Sequence, residues 1–186
     1  MNNSFEKIFV TVLVFTLSIS ICARAQTRSE TFTAKNAVYL EVGGSSGIYA
    51  INYSKIFHQK GKLKLNASAG FSMLPHRLDS KTTWLPVVPL EISALVGKSN
   101  HHLEIGMGIT PYLTRSLAFD SETFDTIDKV VFGSVMPLRV GYRYQKPEGG
   151  FFFRIGYTPF FNVPVRAGKN WSFNPYMAGV SFGKSF

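Results

Sequence analysis

Cysteine is almost absent from this 186-residue chain: the one copy, Cys22, lies in an apolar stretch near the amino end. Residues 1–25 read as an export signal. Lys7 precedes a run from Ile8 to Ala23 interrupted only by Thr, Ser and Cys22, and Ala23 and Ala25 supply the small residues of a peptidase site. A lipid-modified cysteine would need a small residue before it, and Ile21 stands there instead. Cleavage after Ala25 leaves a chain starting at Gln26 with no thiol, which excludes disulfides and thiolate metal sites. Beyond the signal there is no run of about 18 apolar residues, so no transmembrane helix is expected. Helical periodicity is missing as well, which argues against a helix bundle. Lys and Arg outnumber Asp and Glu by 20 to 11, yet no Lys/Arg-rich block occurs. Nucleic acid is therefore not an expected partner, whereas an anionic membrane surface or lipopolysaccharide phosphates fit the excess.

What is present is alternation. In "LKLNASAGF", Leu63, Leu65, Ala67, Ala69 and Phe71 share one parity while Lys64, Asn66, Ser68 and Gly70 share the other. "LEIGMGITPY" sets Leu103, Ile105, Met107 and Ile109 against Glu104, Gly106, Gly108 and Thr110. "PLRVGYRY" and "FFFRIGYTPF" divide in the same way. With weaker segments at 37–43, 47–56, 86–96 and 176–186, eight strands are expected. Short turns ("HQKGK", "GKSNH", "QKPEGG") alternate with long connections ("LPHRLDSKTTW", "RSLAFDSETFDTID", "NVPVRAGKNWSFNP"), only the tight "GGSSG" breaking the pattern. Segments of about ten residues with this asymmetry are the signature of a membrane-spanning barrel. The expected fold is all-β: an eight-stranded antiparallel transmembrane β-barrel of up-and-down connectivity over 36–186, after the signal 1–25 and a short segment 26–35. The short turns and both chain ends would lie in the periplasm.

Leu, Ile, Val, Phe and Tyr dominate one face and small residues with isolated charges the other, so the bulky face is assigned to lipid and the polar face to the lumen. An eight-stranded lumen is just wide enough for side chains to fill. The inward charges are Glu41, Lys64, Glu91, Glu104, Arg139, Arg143 and Arg154, expected to form a plug of ion pairs because an unpaired buried charge costs several kcal/mol. A gated ion path or a catalytic carboxylate pair is the functional alternative. Aromatics cluster at strand ends, with Tyr53, Phe57, Tyr142, Tyr144, Phe151, Phe153 and Phe182 near the short turns and Trp84, Tyr112, Phe161, Trp171 and Tyr176 near the long loops, as two interfacial girdles would. Prolines at 86, 89, 111, 137 and 159 lie toward the outer strand ends, where irregular pairing is expected. The last strand must pair with the first if no edge is to face lipid.

The opening hairpin "NAVYLEVGGSSGIYAINYSKIF" and the closing "GVSFGKSF" resemble the small outer-membrane barrels of Bacteroidetes-type bacteria, similar in size to the OmpA and OmpX barrels. The resemblance implies an outer-membrane location and recognition by the barrel-assembly machinery through Phe182 and the final Phe186; unlike in the larger OmpA-type proteins, no periplasmic domain is expected after the barrel. Lys184 departs from the usual apolar residue of that signal, but near the rim its stem can snorkel. In such a family Asp125-Thr126-Ile127 resembles an O-glycosylation site.

Enzymatic chemistry finds little support. The His-x-Ser spacing of a lipid A deacylase does not occur, and His76, Asp79 and Ser80 in "PHRLDSK" are the only residues arranged like those of a lipid A palmitoyltransferase. His101 and His102 are adjacent on a strand, so they point to opposite faces and cannot chelate one ion; a solvated turn is expected there. No cofactor and no metal are expected. The reading is a non-enzymatic structural or surface-interaction protein, with a lipid A-modifying enzyme or a narrow channel as alternatives.

Overall fold

The structure is a computed structural model that describes residues 31–78, 81–120, 125–165 and 170–186. The signal expected at 1–25, with Cys22, and the loop residues Asp79 and Ser80 lie outside the described residues. Eleven strands form one antiparallel sheet: β1 (Asn36–Gly43), β2 (Tyr49–Lys60), β3 (Leu63–Leu78), β4 (Lys81–Val87), β5 (Leu90–Lys98), β6 (His101–Asp120), β7 (Asp125–Gln145), β8 (Gly150–Tyr157), β9 (Phe160–Asn162), β10 (Ser172–Asn174) and β11 (Ala178–Ser185).

The eleven strands make eight passes. β4 and β5 pair with β3 in a single register, Ser72 opposite Val87 and Ala69 opposite Leu90, and the Gly70 N–H donates to Pro89 O across the break at 2.8 Å. β8 and β9 continue one another against β7 in the same manner, with the Leu138 N–H donating to Pro159 O at 2.8 Å. β10 pairs with β9 and β11 with β8. The circuit closes where β11 pairs with β1, a seam that runs from Gly43 opposite Gly179 to the mutual bonds of Asn36 and Phe186 at 2.9 Å. Proline explains the breaks, because it has no N–H to donate. Pro89 and Pro159 sit in them, and Pro137 flanks a gap in the β6–β7 ladder between Met107–Leu138 and Thr110–Val135. Pro86 and Pro111 depart from the expected irregularity, being paired with Met73 and Ser134.

The connections expected as long loops are also different. β3 and β4 stay paired out to Leu78 and Lys81, β6 and β7 out to Asp120 and Asp125, and β10 takes up Ser172–Asn174 of the third. In these stretches polar residues occupy both parities, so the alternation that marks a half-buried strand is lost although the ladder continues.

Exposure follows the alternation in the ring. Among the described residues, ten hydrophobic residues are buried against twenty-two polar or charged ones, the reverse of a water-soluble core. Ile51, Ile92, Met107 and Val140 are each more than half exposed, whereas Asn52, Asn66, Ser93 and Ser181 are buried. Leu65 is half-buried and Ile105 exposed, neither lying in an interior.

Both mouths of the ring are closed by chain. At the end carrying the short turns, residues 31–35 fold across the opening: the Thr33 and Ala34 N–H groups both donate to Pro147 O at 3.0 Å, and the Phe32 N–H donates to Gln59 Oε1 at 3.0 Å. The Phe32 ring is 1% exposed and packs with Ile56 and Leu95. At the other end the connection between β1 and β2 turns inward as one turn of 3-10 helix, Gly44–Ser46, with all three residues buried. Gly43, at φ 74°, ψ −140°, adopts a conformation essentially reserved for glycine, and a Cβ there would collide with Ala178 O.

Candidate functional site

Six of the seven charges assigned to the interior meet in one connected cluster. Arg139 reaches Glu41 (Nη2–Oε1 2.6 Å) and Glu91 (Nε–Oε2 2.8 Å), and Arg154 reaches the same two carboxylates at 3.1 and 2.9 Å. Glu104 is held more loosely, its Oε1 lying 3.5 Å from Arg154 Nη1 and 3.6 Å from Arg143 Nη1, while it accepts a hydrogen bond from Ser93 Oγ at 2.8 Å. None of the six is more than 5% exposed. Three carboxylates and three guanidinium groups leave the cluster formally neutral, the condition for keeping six ionic groups away from water.

Alternation placed these residues because β1, β5, β6, β7 and β8 each carry the charge on the parity opposite their bulky residues. It could not place them along the axis, and Lys64 shows the consequence. Lys64 faces inward, 1% exposed, but has no ion-pair partner among the described residues. Its Nζ lies 3.4 Å from Gly97 O and 4.7 Å from the centre of the Phe32 ring. Ser68, four residues further along β3, is the residue opposite Glu91. At about 3.3 Å per residue that sets Lys64 roughly 13 Å from Glu91 along the strand direction, while Glu104 stands two strands away in the row that runs through Leu95. The seven-residue network is thus six residues, with Lys64 under the Phe32 closure.

Side chains that charge-based reading missed complete the interior. Arg154 stacks over Tyr39 at 4.8 Å, Tyr39 over Phe152 at 4.7 Å and 18°, and Arg143 over Phe152 at 4.7 Å. Two arginines therefore bracket two stacked rings, an arrangement that gives cations favourable contact inside a dry space. Parity held this information, since Tyr39 shares a face with Glu41 and Phe152 with Arg154. Arg143 also donates to Gln145 Oε1 from Nε (3.0 Å) and Nη2 (2.6 Å), and Gln145 Nε2 donates to Ala34 O at 2.9 Å. On the opposite side Ser45 Oγ, in the inward turn, donates to Glu91 Oε2 at 2.8 Å and accepts from Arg139 Nη2 at 3.0 Å. Nothing in "GGSSG" shows from sequence that the turn points in rather than out.

The other candidates are dispersed. His76 pairs with Thr114 Oγ1 at 3.0 Å. His101 is exposed and lies 2.6 Å from the Tyr142 hydroxyl, while His102 is buried beside Phe32, so the pair is not the solvated turn expected, although the two do take opposite faces. The reason is closure: residues 31–35 cover the mouth that His102 faces. Tyr112, expected in the outer girdle, lines a cavity within the ring. The backbone of Asp125, Thr126 and Ile127 opens β7, but their side chains lie outside the described set. Among the described residues no three His, Asp or Glu side chains are grouped as a metal site requires. Phe182 and Phe186 are exposed on the outer face of the β11 end.

No family model matches the chain, and no curated protein matches it. Among solved structures it is similar to the crystal structure of the N-terminal β-barrel domain of Pseudomonas aeruginosa OprF, at 13% identity and a TM-score of 0.47, over 86% of this chain and 100% of that one.

Proposed function

We propose that the chain is an eight-stranded transmembrane β-barrel of the Gram-negative outer membrane with a sealed lumen and a non-enzymatic, structural or surface-interaction role. One observation carries the reading: bulky hydrocarbon residues face out all around a closed ring while a neutral six-residue ion cluster fills its middle. Such a body exposes to water the surface that a bilayer would cover, and it buries the groups a bilayer would reject. Closure through β11 and β1 gives every strand of the ring wall two paired neighbours, the other requirement of a spanning sheet. In this reading outer-membrane lipid and lipopolysaccharide surround the barrel, both termini are periplasmic, and Phe182 and Phe186 serve recognition by the assembly machinery. The kinship with small Bacteroidetes-type barrels belongs to the same proposal, as does presentation of the paired β3–β4 and β6–β7 extensions to the cell exterior.

A lumen stopped at both mouths and filled between them should not conduct. The purified protein, folded into planar bilayers, is expected to give no unitary current steps. Steps whose size changes on neutralising Arg139 would replace this reading with that of a channel, and an acyl pattern of lipid A altered by the protein would replace it with that of an enzyme.

A further inference from the structure

The inward turn that closes one mouth is also the floor of a cup. Above Gly44–Gly47 the inward side chains line an open cup of about 270 Å³. Leu74, Val87, Leu113, Val135, Pro137 and Phe160 form most of its wall, and among the described residues no Lys, Arg, Asp or Glu lines it. Most polar groups on the wall are already engaged. The Thr110 hydroxyl donates to Ser45 O at 2.8 Å, His76 is paired with Thr114, and Asn162 Nδ2 donates to Ser172 Oγ at 2.8 Å. Tyr112 differs. Its hydroxyl has no hydrogen-bond partner among the described residues, and its ring lies against Gly133 on the neighbouring strand, where any Cβ would strike the ring. A glycine at that position leaves the Tyr112 hydroxyl room to lie across the strand, at the border between the cup and an adjoining cavity that Tyr112 and Asn162 also line.

We propose that this cup binds one small, uncharged, mostly apolar molecule of one or two rings, whose single polar group meets the Tyr112 hydroxyl. An apolar cavity of roughly 150 Å³ takes up benzene, so the larger cup has room for a bicyclic molecule. A charged ligand would surrender its hydration with no counter-charge among the described wall residues to replace it. The floor, tied by Thr110 and by Ser45 on Glu91, gives the ligand a preformed surface, which lowers the ordering cost of binding. The cup is a property of the folded ring and needs no bilayer around it, so the inference goes beyond the membrane reading and fails independently of it.

The test is titration of the full-length folded protein in detergent micelles with 2-naphthol and with naphthalene, against protein-free micelles. Saturable one-to-one binding of both is expected. Tyr112→Phe should weaken 2-naphthol roughly three- to tenfold, the worth of one neutral hydrogen bond, and leave naphthalene unchanged. Val135→Trp, filling the cup, should weaken both more than tenfold, with retention of the heat-modifiable folded form on electrophoresis showing that the ring is intact. Binding that does not saturate, that survives in folded Val135→Trp, or that treats 2-naphthol alike in wild type and Tyr112→Phe overturns the proposal, and so does equally tight binding of naphthalene-2-sulfonate.

Discussion

Glu91→Gln is the sharpest probe of the ionic interior. The side chain accepts from Arg139 at 2.8 Å, from Arg154 at 2.9 Å and from Ser45 at 2.8 Å, so one carboxylate holds two guanidinium groups and the floor of the cup. The substitution keeps the shape but leaves three arginines facing two carboxylates. An uncompensated charge of this kind in a buried cluster costs about 3–5 kcal/mol. Glu104→Gln should cost less, about 1.5–3 kcal/mol, because its ion pairs at 3.5 and 3.6 Å are longer than good hydrogen bonds and Arg143 retains Gln145 and the Phe152 ring. Lys64→Met should change stability by about 1 kcal/mol or less, since the charge it deletes has no paired carboxylate to strand. Reversible urea unfolding in phospholipid vesicles, followed by the emission of Trp84 and Trp171, gives all three by linear extrapolation. Glu91→Gln as stable as wild type, or no more harmful than Lys64→Met, would refute the reasoning.

Two further perturbations address the ring itself. Val140→Lys places a charge on the outer face between Ile105 and Tyr157; in vesicles it should cost about 2–4 kcal/mol if that position meets the middle of a bilayer, and near zero in water-facing surroundings, as the same urea titration reports. Gly43→Ala forces a side chain into a glycine-only conformation and against Ala178 O; a loss of about 1–3 kcal/mol is expected, together with faster amide exchange at Gly44–Ser46, and unchanged exchange there would show that the inward turn does not depend on that conformation.

How much of this was legible depends on whether a residue's role is set by face or by height. Face is a period-two property of the chain. The charges, the outward Ile and Val residues and the inward glycines and serines could all be read from parity in segments such as "LKLNASAGF". Height and reach depend on the stagger between strands, which no single segment encodes, so Lys64 was grouped with carboxylates although its amine meets Gly97 O and the Phe32 ring instead. The eight passes were visible because turn chemistry separates them, while their division into eleven strands reflects prolines whose missing donors interrupt a continuing register. The extensions of β3–β4 and β6–β7 were read as loops for want of alternation. Closure by Phe32 and by Gly44–Ser46 was not legible, since both depend on short segments bending into a space that exists only once the ring has formed.

The polar contacts inside the ring join end to end. From Ser45 they pass through Glu91 to Arg154, across Glu104 to Arg143, and by way of Gln145 to the main chain at Ala34. Strand ladders bind a cylinder around its girth; this line of contacts acts as a tie rod along its length. The two stoppers are thereby joined through side chains alone, and the slackest link of the rod is Glu104, at 3.5 and 3.6 Å from the arginines on either side of it.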